Sequence, residues 1–254
     1  MGRMSAPAAL LARMEAAELL LSPRGLGWLL ALAAALSGFG LLLVGSTELS
    51  LLDNAQVVYD MLGIVTALGA VLAVAAGTDA IAGERERGSL LPVLLTPLSR
   101  TGLLVGKMGG QAAAWGVMLL IAVPYLWAVG STGQNLLAGG VTLLLLGTPI
   151  VLGFGFLALG LGALLGSARG TLMVCLMVLL LSASPLLLGP SLRQSAVGVA
   201  FDAVNPFSAA LNAYDAVVID GQGAGAQVWH ALVSLLWLGG TASFAAAGVR
   251  RLQR

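Results

Sequence analysis

Charged side chains are scarce: Asp, Glu, Lys and Arg make up 9% of the 254 residues. A soluble domain carries about 25%, so this chain cannot coat a surface that faces water on all sides. Hydrophobic residues account for 59%, and mean hydropathy is +0.99. Together these values define an integral membrane protein. The net charge of +1 excludes a nucleic-acid partner drawn by bulk electrostatics. The single cysteine, Cys175, excludes an internal disulfide. With one histidine, His230, and no H-E-x-x-H or C-x-x-C, no metal site is expected.

Motifs for chemistry are missing as well. A phosphate-binding loop needs G-x-x-x-x-G-K-[ST], so that backbone amides wrap phosphate and the hydroxyl meets magnesium. Gly102 to Met108 reads GLLVGKM: the glycine spacing is one residue short, and methionine stands where the hydroxyl belongs. No catalytic residue or bound cofactor is therefore expected in this chain. His230 with Ser182, Ser184 or Ser234 could form an intramembrane protease, but no G-x-S-x-G nucleophile motif accompanies them. No cleavable signal peptide is evident, because the first long apolar run is long enough to be a retained span. No repeat relates the two halves of the chain.

What the chain does have is long apolar runs and 35 glycines. A spanning helix needs roughly 20 mostly apolar residues. Six segments qualify, at about 26–44, 61–77, 108–129, 136–165, 171–188 and 228–249. The expected fold is an all-α membrane domain over 1–254. Pro149 in the over-long fourth segment predicts a kink or tilt. Gly102, Gly106 and Gly110, then Gly162 and Gly166, recur at four-residue spacing and allow close helix crossings.

Charge placement supports six spans with both termini cytoplasmic. Eleven of the twelve basic residues then fall inside, and Arg193 alone outside. Glu48, Asp53, Asp60, Asp202, Asp215 and Asp220 fall outside. This is a positive-inside pattern. Before the first span, Leu10, Met14, Ala17 and Leu21 share one helical face, with Arg13, Glu15 and Glu18 off it. Such a helix lies along the membrane surface, and Pro23 ends it. Asn205-Pro206-Phe207 predicts a turn into a short helix near the outer surface, and Gly221 to Gly225 a flexible link. No ionisable residue is expected deep inside a span, which argues against an ion-coupled carrier.

Residues 79–107 read DAIAGERERGSLLPVLLTPLSRTGLLVGK and hold seven of the 23 charged side chains. They are Asp79, Glu84, Arg85, Glu86, Arg87, Arg100 and Lys107. A charged island between two spans must face water, because an unpaired charge in lipid costs several kcal/mol. Gly88 and Ser89 are expected to start a short helix, with Ser89 as cap and Pro92 in its first turn. Leu90 or Leu91, Leu94 and Leu98 would share one face. Thr96-Pro97 would break this helix, Ser99 would cap the next, and Arg100 and Lys107 would lie at the membrane surface. Lipid headgroups or another protein could cover the leucine stripe.

This island resembles the segment between the second and third spans of type 2 ATP-binding-cassette (ABC) transporter permeases. That family shows E-R-E-x-G-T-L, a leucine-rich turn, T-P-x-S-R and a G-K entering the next span. The matching residues are Glu84, Arg85, Glu86, Gly88, Ser89, Leu90, Thr96, Pro97, Ser99, Arg100, Gly106 and Lys107. The family often has a glutamate after G-T-L, where this chain has Leu91.

The resemblance implies a prokaryotic inner-membrane permease, working as a dimer with a second copy or paralogue. Short cytoplasmic helices would dock separate ATPase subunits, which bind the ATP and magnesium. An extracytoplasmic accessory protein would also fit. Coupling would fall to Glu84 through Leu90, Leu94, Thr96, Pro97, Arg100 and Lys107, with Glu84 and Glu86 pairing to Arg13, Arg100 or Arg169. The competing classes are a stand-alone secondary transporter or channel and a non-transporting membrane scaffold. On the permease reading, replacing Glu84 and Glu86 with alanine, or Leu94 with aspartate, uncouples ATP hydrolysis from transport while expression stays intact. Normal transport by the Leu94 variant would contradict it.

Overall fold

Apolar segments in lipid must close their backbone hydrogen bonds internally, and helices do this within one segment. The computed structural model describes residues 6–45, 54–95, 98–130, 135–184 and 195–252, and these are helical with no strand among them. The chain begins with α1 (Ala6–Leu21) and α2 (Pro23–Gly45), then α3 (Asn54–Thr78). A π turn (Asp79–Gly83) carries α3 directly into α4 (Glu84–Arg87), followed by α5 (Leu90–Leu94) and α6 (Arg100–Gly130). Next come α7 (Leu136–Thr142), a second π turn (Leu143–Gly147), α8 (Thr148–Leu165) and α9 (Ala168–Ala183). The last elements are α10 (Ala196–Val204), α11 (Pro206–Tyr214), a third π turn (Asp215–Ile219), a short 3-10 turn (Ala224–Gln227) and α12 (Val228–Val249).

Five helices are long and apolar enough to cross a membrane: Pro23–Leu42, Ala55–Arg87, Arg100–Ala128, Leu136–Leu165 and Gly225–Val249. The expected fifth span is represented by the shorter α9, and its end beyond Ser184 lies outside the described residues. Two boundaries differ from expectation. The second span does not end near Gly77 but continues as helix to Arg87, and the third starts at Arg100 instead of Met108. Most of the charged island is thus helix continuous with a span.

Proline and serine set several of these boundaries. Pro23 both stops α1 and opens α2, and the Ser22 hydroxyl accepts the Gly25 N–H (3.0 Å). Pro149 has no N–H to return to the preceding turn. A kink or tilt was expected in this segment; what the helix carries is a π turn at Leu143–Gly147, just before Pro149 in the first turn of α8.

Two apolar clusters form the interior. The larger joins α3, α6, α8 and α11 through Met61, Leu62, Met118, Ile150, Phe154 and Phe207. Close approach is possible because rings lie on glycines, Trp115 over Gly69 and Trp237 over Gly153. The smaller cluster sits at the charged-island end, where Ile81 and Leu90 meet Leu103, Leu159 and Val249.

The short helix expected after Asn205-Pro206 is present, and it is buried among its neighbours. In α11, Pro206 through Leu211, Ala213 and Tyr214 are all buried. Small residues (Ser208, Ala209, Ala210, Ala213) let it slot between spans, and Asn205 fixes its depth. The Asn205 carboxamide oxygen accepts the Phe207 N–H (2.9 Å), and its Nδ2 donates to the Ser182 carbonyl at the end of α9 (2.7 Å). At the far end of α11 the hydroxyls of Tyr214 and Thr66 share a hydrogen bond (2.9 Å). In the glycine-rich link Gly221 adopts φ +65°, and the Gln222 N–H donates to the Ala216 carbonyl (2.8 Å).

The leader α1 has the expected apolar face, with Leu10, Met14 and Leu21 exposed by 60%, 63% and 73%. Its opposite face is anchored. Leu11, Ala12 and Glu15 lie directly on Gly106, Gly109 and Gly110 of α6. Gly110→Ala places a methyl against the α1 backbone and Glu15, at a cost of about 1–3 kcal/mol. Gly116→Ala on the same helix meets open space and is neutral or slightly stabilising. Thermal unfolding in detergent should separate the two, and equal melting temperatures would contradict this packing.

Candidate functional site

The charged island is organised around Lys107. This lysine was expected at the membrane surface, one residue before the start of the third span; its side chain is fully buried within the protein. Counted from Arg100, it sits about 10 Å into α6. The ammonium contacts Glu15 of α1 (Nζ to Oε1, 2.6 Å) and Glu84 of α4 (Nζ to Oε2, 2.8 Å). One cation therefore joins three segments that are distant in sequence. The expected partners Arg13, Arg100 and Arg169 are not what Glu84 meets. A buried ammonium needs compensating charge, and the glycines of α6 let α1 come close enough for Glu15 to supply it.

Two carboxylates share this one ammonium, which leaves a surplus negative charge. Burial pushes the Glu15 carboxyl above its ordinary range, while Lys107 pulls it down and Glu84 pushes it up.

The other island residues tie the segment to its neighbours. Glu86 accepts the Ala168 N–H at the start of α9 (2.9 Å), and not the hydrogen bond of an arginine. Carboxylates are favoured there because helix N-termini present unpaired N–H groups. The Arg85 guanidinium lies beside Gly166, which terminates α8 at φ +66°, so positive charge meets a helix C-terminus. Arg87 donates to both oxygens of Asp79 (2.6 and 3.2 Å), across Gly83, where a side chain would intrude.

Gly88 ends α4 in the left-handed region (φ +73°). The Gly88 N–H donates to the Arg85 carbonyl (3.2 Å) and the Ser89 N–H to the Glu84 carbonyl (2.9 Å), the Schellman arrangement. Ser89 does not cap α5 as expected. Its backbone is already helical, and its hydroxyl turns back to the Glu84 carbonyl (3.3 Å). Ser99 does cap α6, accepting the Gly102 N–H (3.0 Å). Arg100 is exposed at the first position of that helix.

The leucine stripe is redistributed. Leu90 turns inward and is buried, and Leu98 packs against the same cluster. Leu91 (66% exposed) and Leu95 (80% exposed) form the outward pair, four residues apart. Leu94 lies within α5, but its side chain, and Thr96 and Pro97 entirely, fall outside the described residues.

Elsewhere, the Ser182 and Ser234 hydroxyls donate to carbonyls of their own helices, and His230 Nδ1 pairs with Gln227 (2.7 Å). Nothing there resembles a nucleophile activated by a base. Gly102 to Met108, the imperfect glycine-lysine run, is helical. Among the described residues no three metal-capable side chains come together.

Sequence reasoning missed Glu15 as the partner of Lys107. The usable signal was the small face of α1: Ala8, Leu11, Ala12 and Glu15 recur at three- and four-residue spacing, matching the glycines of α6.

Long apolar helices define a multi-pass, all-α membrane protein, and the island defines a braced polar segment at one end of the spans. The family model described as "ABC-2 family transporter protein" matches residues 11–254. The chain belongs to that family, and is a permease component of an ABC transport system. No curated protein matched it.

Lys107→Met strands two buried carboxylates and should cost about 3–5 kcal/mol near neutral pH. The wild type should show a related pH signature. Because the folded Glu15 carboxyl binds its proton more tightly than the unfolded one at 4.5, folded stability falls as pH rises above 4.5 toward the raised value. Melting temperature against pH should show this decline in the wild type, a steeper one in Lys107→Met, and a smaller one in Glu15→Gln. The same slope in all three would contradict the arrangement.

Proposed function

We propose that the chain is the membrane-spanning half of an ATP-driven exporter, powered by separate ATPase subunits that dock on the segment from Glu84 to Leu95. The supporting observation is an exposed apolar pair, Leu91 and Leu95, on a short helix whose root is braced on three sides. Glu84 holds Lys107, Glu86 holds the start of α9, and α4 runs on into α3 through the π turn. A partner gripping Leu91 and Leu95 would push on α3, α6 and α9 together. The apolar pair would carry force, and the exposed Arg85 and Arg87 would set the register of docking. Arg100, and Leu94, Thr96 and Pro97 around the turn, complete the proposed contact.

On this reading the island faces the cytoplasm, as its positive charge favours. ATP and magnesium belong to the partner, and this chain carries no ATPase site of its own. The translocation path forms between two permease copies, or a copy and a paralogue, in a prokaryotic inner membrane. An extracytoplasmic accessory protein would meet the opposite face.

The test is reconstitution with an ABC ATPase subunit that copurifies with the wild-type chain. Leu91→Asp with Leu95→Asp should lower copurification and transport-linked ATP turnover at least tenfold, with a melting temperature close to wild type because both positions are exposed. Unchanged turnover and transport in a folded double variant would contradict the assignment.

A further inference from the structure

A second feature lies beside the island, with Asp79, Glu84 and Arg87 of the island in its wall. A cavity of about 450 Å³ opens between the α1–α2 turn, the end of α3 and the start of α9. Its volume falls in the usual range of small-molecule sites, about 300–1,000 Å³. Its wall has a charged end, with Glu18, Arg24 and Arg169, and an apolar end, with Trp28, Leu72 and Leu172. Trp28 and Leu72 also line an adjoining groove of about 110 Å³ between α2 and α3, whose remaining walls are Leu29, Ala31, Leu32, Ala35, Leu68 and Val71. A polar chamber thus leads into an apolar channel along two spans.

The charges in the chamber divide into satisfied and free. Glu15 and Glu84 are held by Lys107, and Asp79 by Arg87. Arg24 and Arg169 are exposed and make no ion pair among the described residues, and neither does Glu18. The groups without an ion pair are therefore two guanidiniums and the Glu18 carboxylate, which still acts electrostatically on Arg87 and Glu15.

We propose that this cavity and groove bind a zwitterionic phospholipid of the phosphoethanolamine type. Arg24 and Arg169 take the phosphodiester, because guanidinium groups suit phosphate oxygens. Glu18 takes the ammonium. One acyl chain lies in the groove past Trp28 and Leu72, where an interfacial tryptophan belongs. The bound lipid bridges α1, α2, α3 and α9 at the level of Lys107. This inference stands on the cavity and is independent of the transport reading.

The test uses the full chain, delipidated in nonionic detergent and titrated with defined lipids while retention by native mass spectrometry and melting temperature are followed. Phosphatidylethanolamine should bind and raise the melting temperature. It should bind more tightly than phosphatidylglycerol, and at least tenfold more tightly than diacylglycerol or the chain-free glycerophosphoethanolamine. Arg24→Gln with Arg169→Gln should weaken it at least tenfold, and Glu18→Gln should abolish the preference over phosphatidylglycerol. Leu72→Trp, which blocks the junction with the groove, should weaken it with every charge kept. Equal binding of diacylglycerol, equal or tighter binding of phosphatidylglycerol, or an unaffected double arginine variant would overturn the proposal.

Discussion

A single buried ammonium constrains the charged end of this molecule. Lys107 is in a helix that otherwise reads as a span, and it cannot remain charged there without partners. The two carboxylates that satisfy it come from residues 92 positions before and from the segment between two spans. Satisfying one charge therefore fixes the leader helix against α6 and the interspan segment against both. The glycines at 106, 109 and 110 are part of the same constraint, since larger residues would hold α1 away and leave Lys107 short of a carboxylate.

Around this point the island is a braced helical segment and not a loop. Each strong interaction beyond Lys107 ends on a different helix: Glu86 on α9, Arg85 on the end of α8, and Asp79–Arg87 along the α3 extension itself. Backbone groups close the turn at Gly88 without help from any partner. What remains unsatisfied is apolar and outward, at Leu91 and Leu95. That exposed apolar tip on a braced base is what the proposed docking rests on.

Sequence reasoning reached the parts that depend on local pattern. Five of the six expected apolar runs of spanning length, the break at Pro23, the Ser99 cap and the turn at Asn205-Pro206 follow from residue type and spacing, and they appear. It failed where long-range pairing decides. Lys107 looked like a surface anchor because its neighbours Gly106 and Met108 say nothing of a carboxylate arriving from α1. Glu86 was expected to meet an arginine, but an open helix N-terminus at Ala168 competes for the same carboxylate. The turn at Asn205-Pro206 announced a short helix, but not that its small residues allow near-complete burial once Asn205 has tied it to Ser182. The leucine stripe failed for a subtler reason. The turn at Gly88 rotates α5, sending Leu90 inward and leaving Leu91 and Leu95 outside.

The most direct measurement of the central claim is hydrogen–deuterium exchange of the wild type against Lys107→Met in identical detergent. If the ammonium holds the three segments as one body, protection should fall together across 6–21 and 84–95, which are remote in sequence from the substitution, while α8 and α12 keep theirs. A loss of protection confined to the turn of α6 around residue 107, with 6–21 and 84–95 unchanged, would contradict the account.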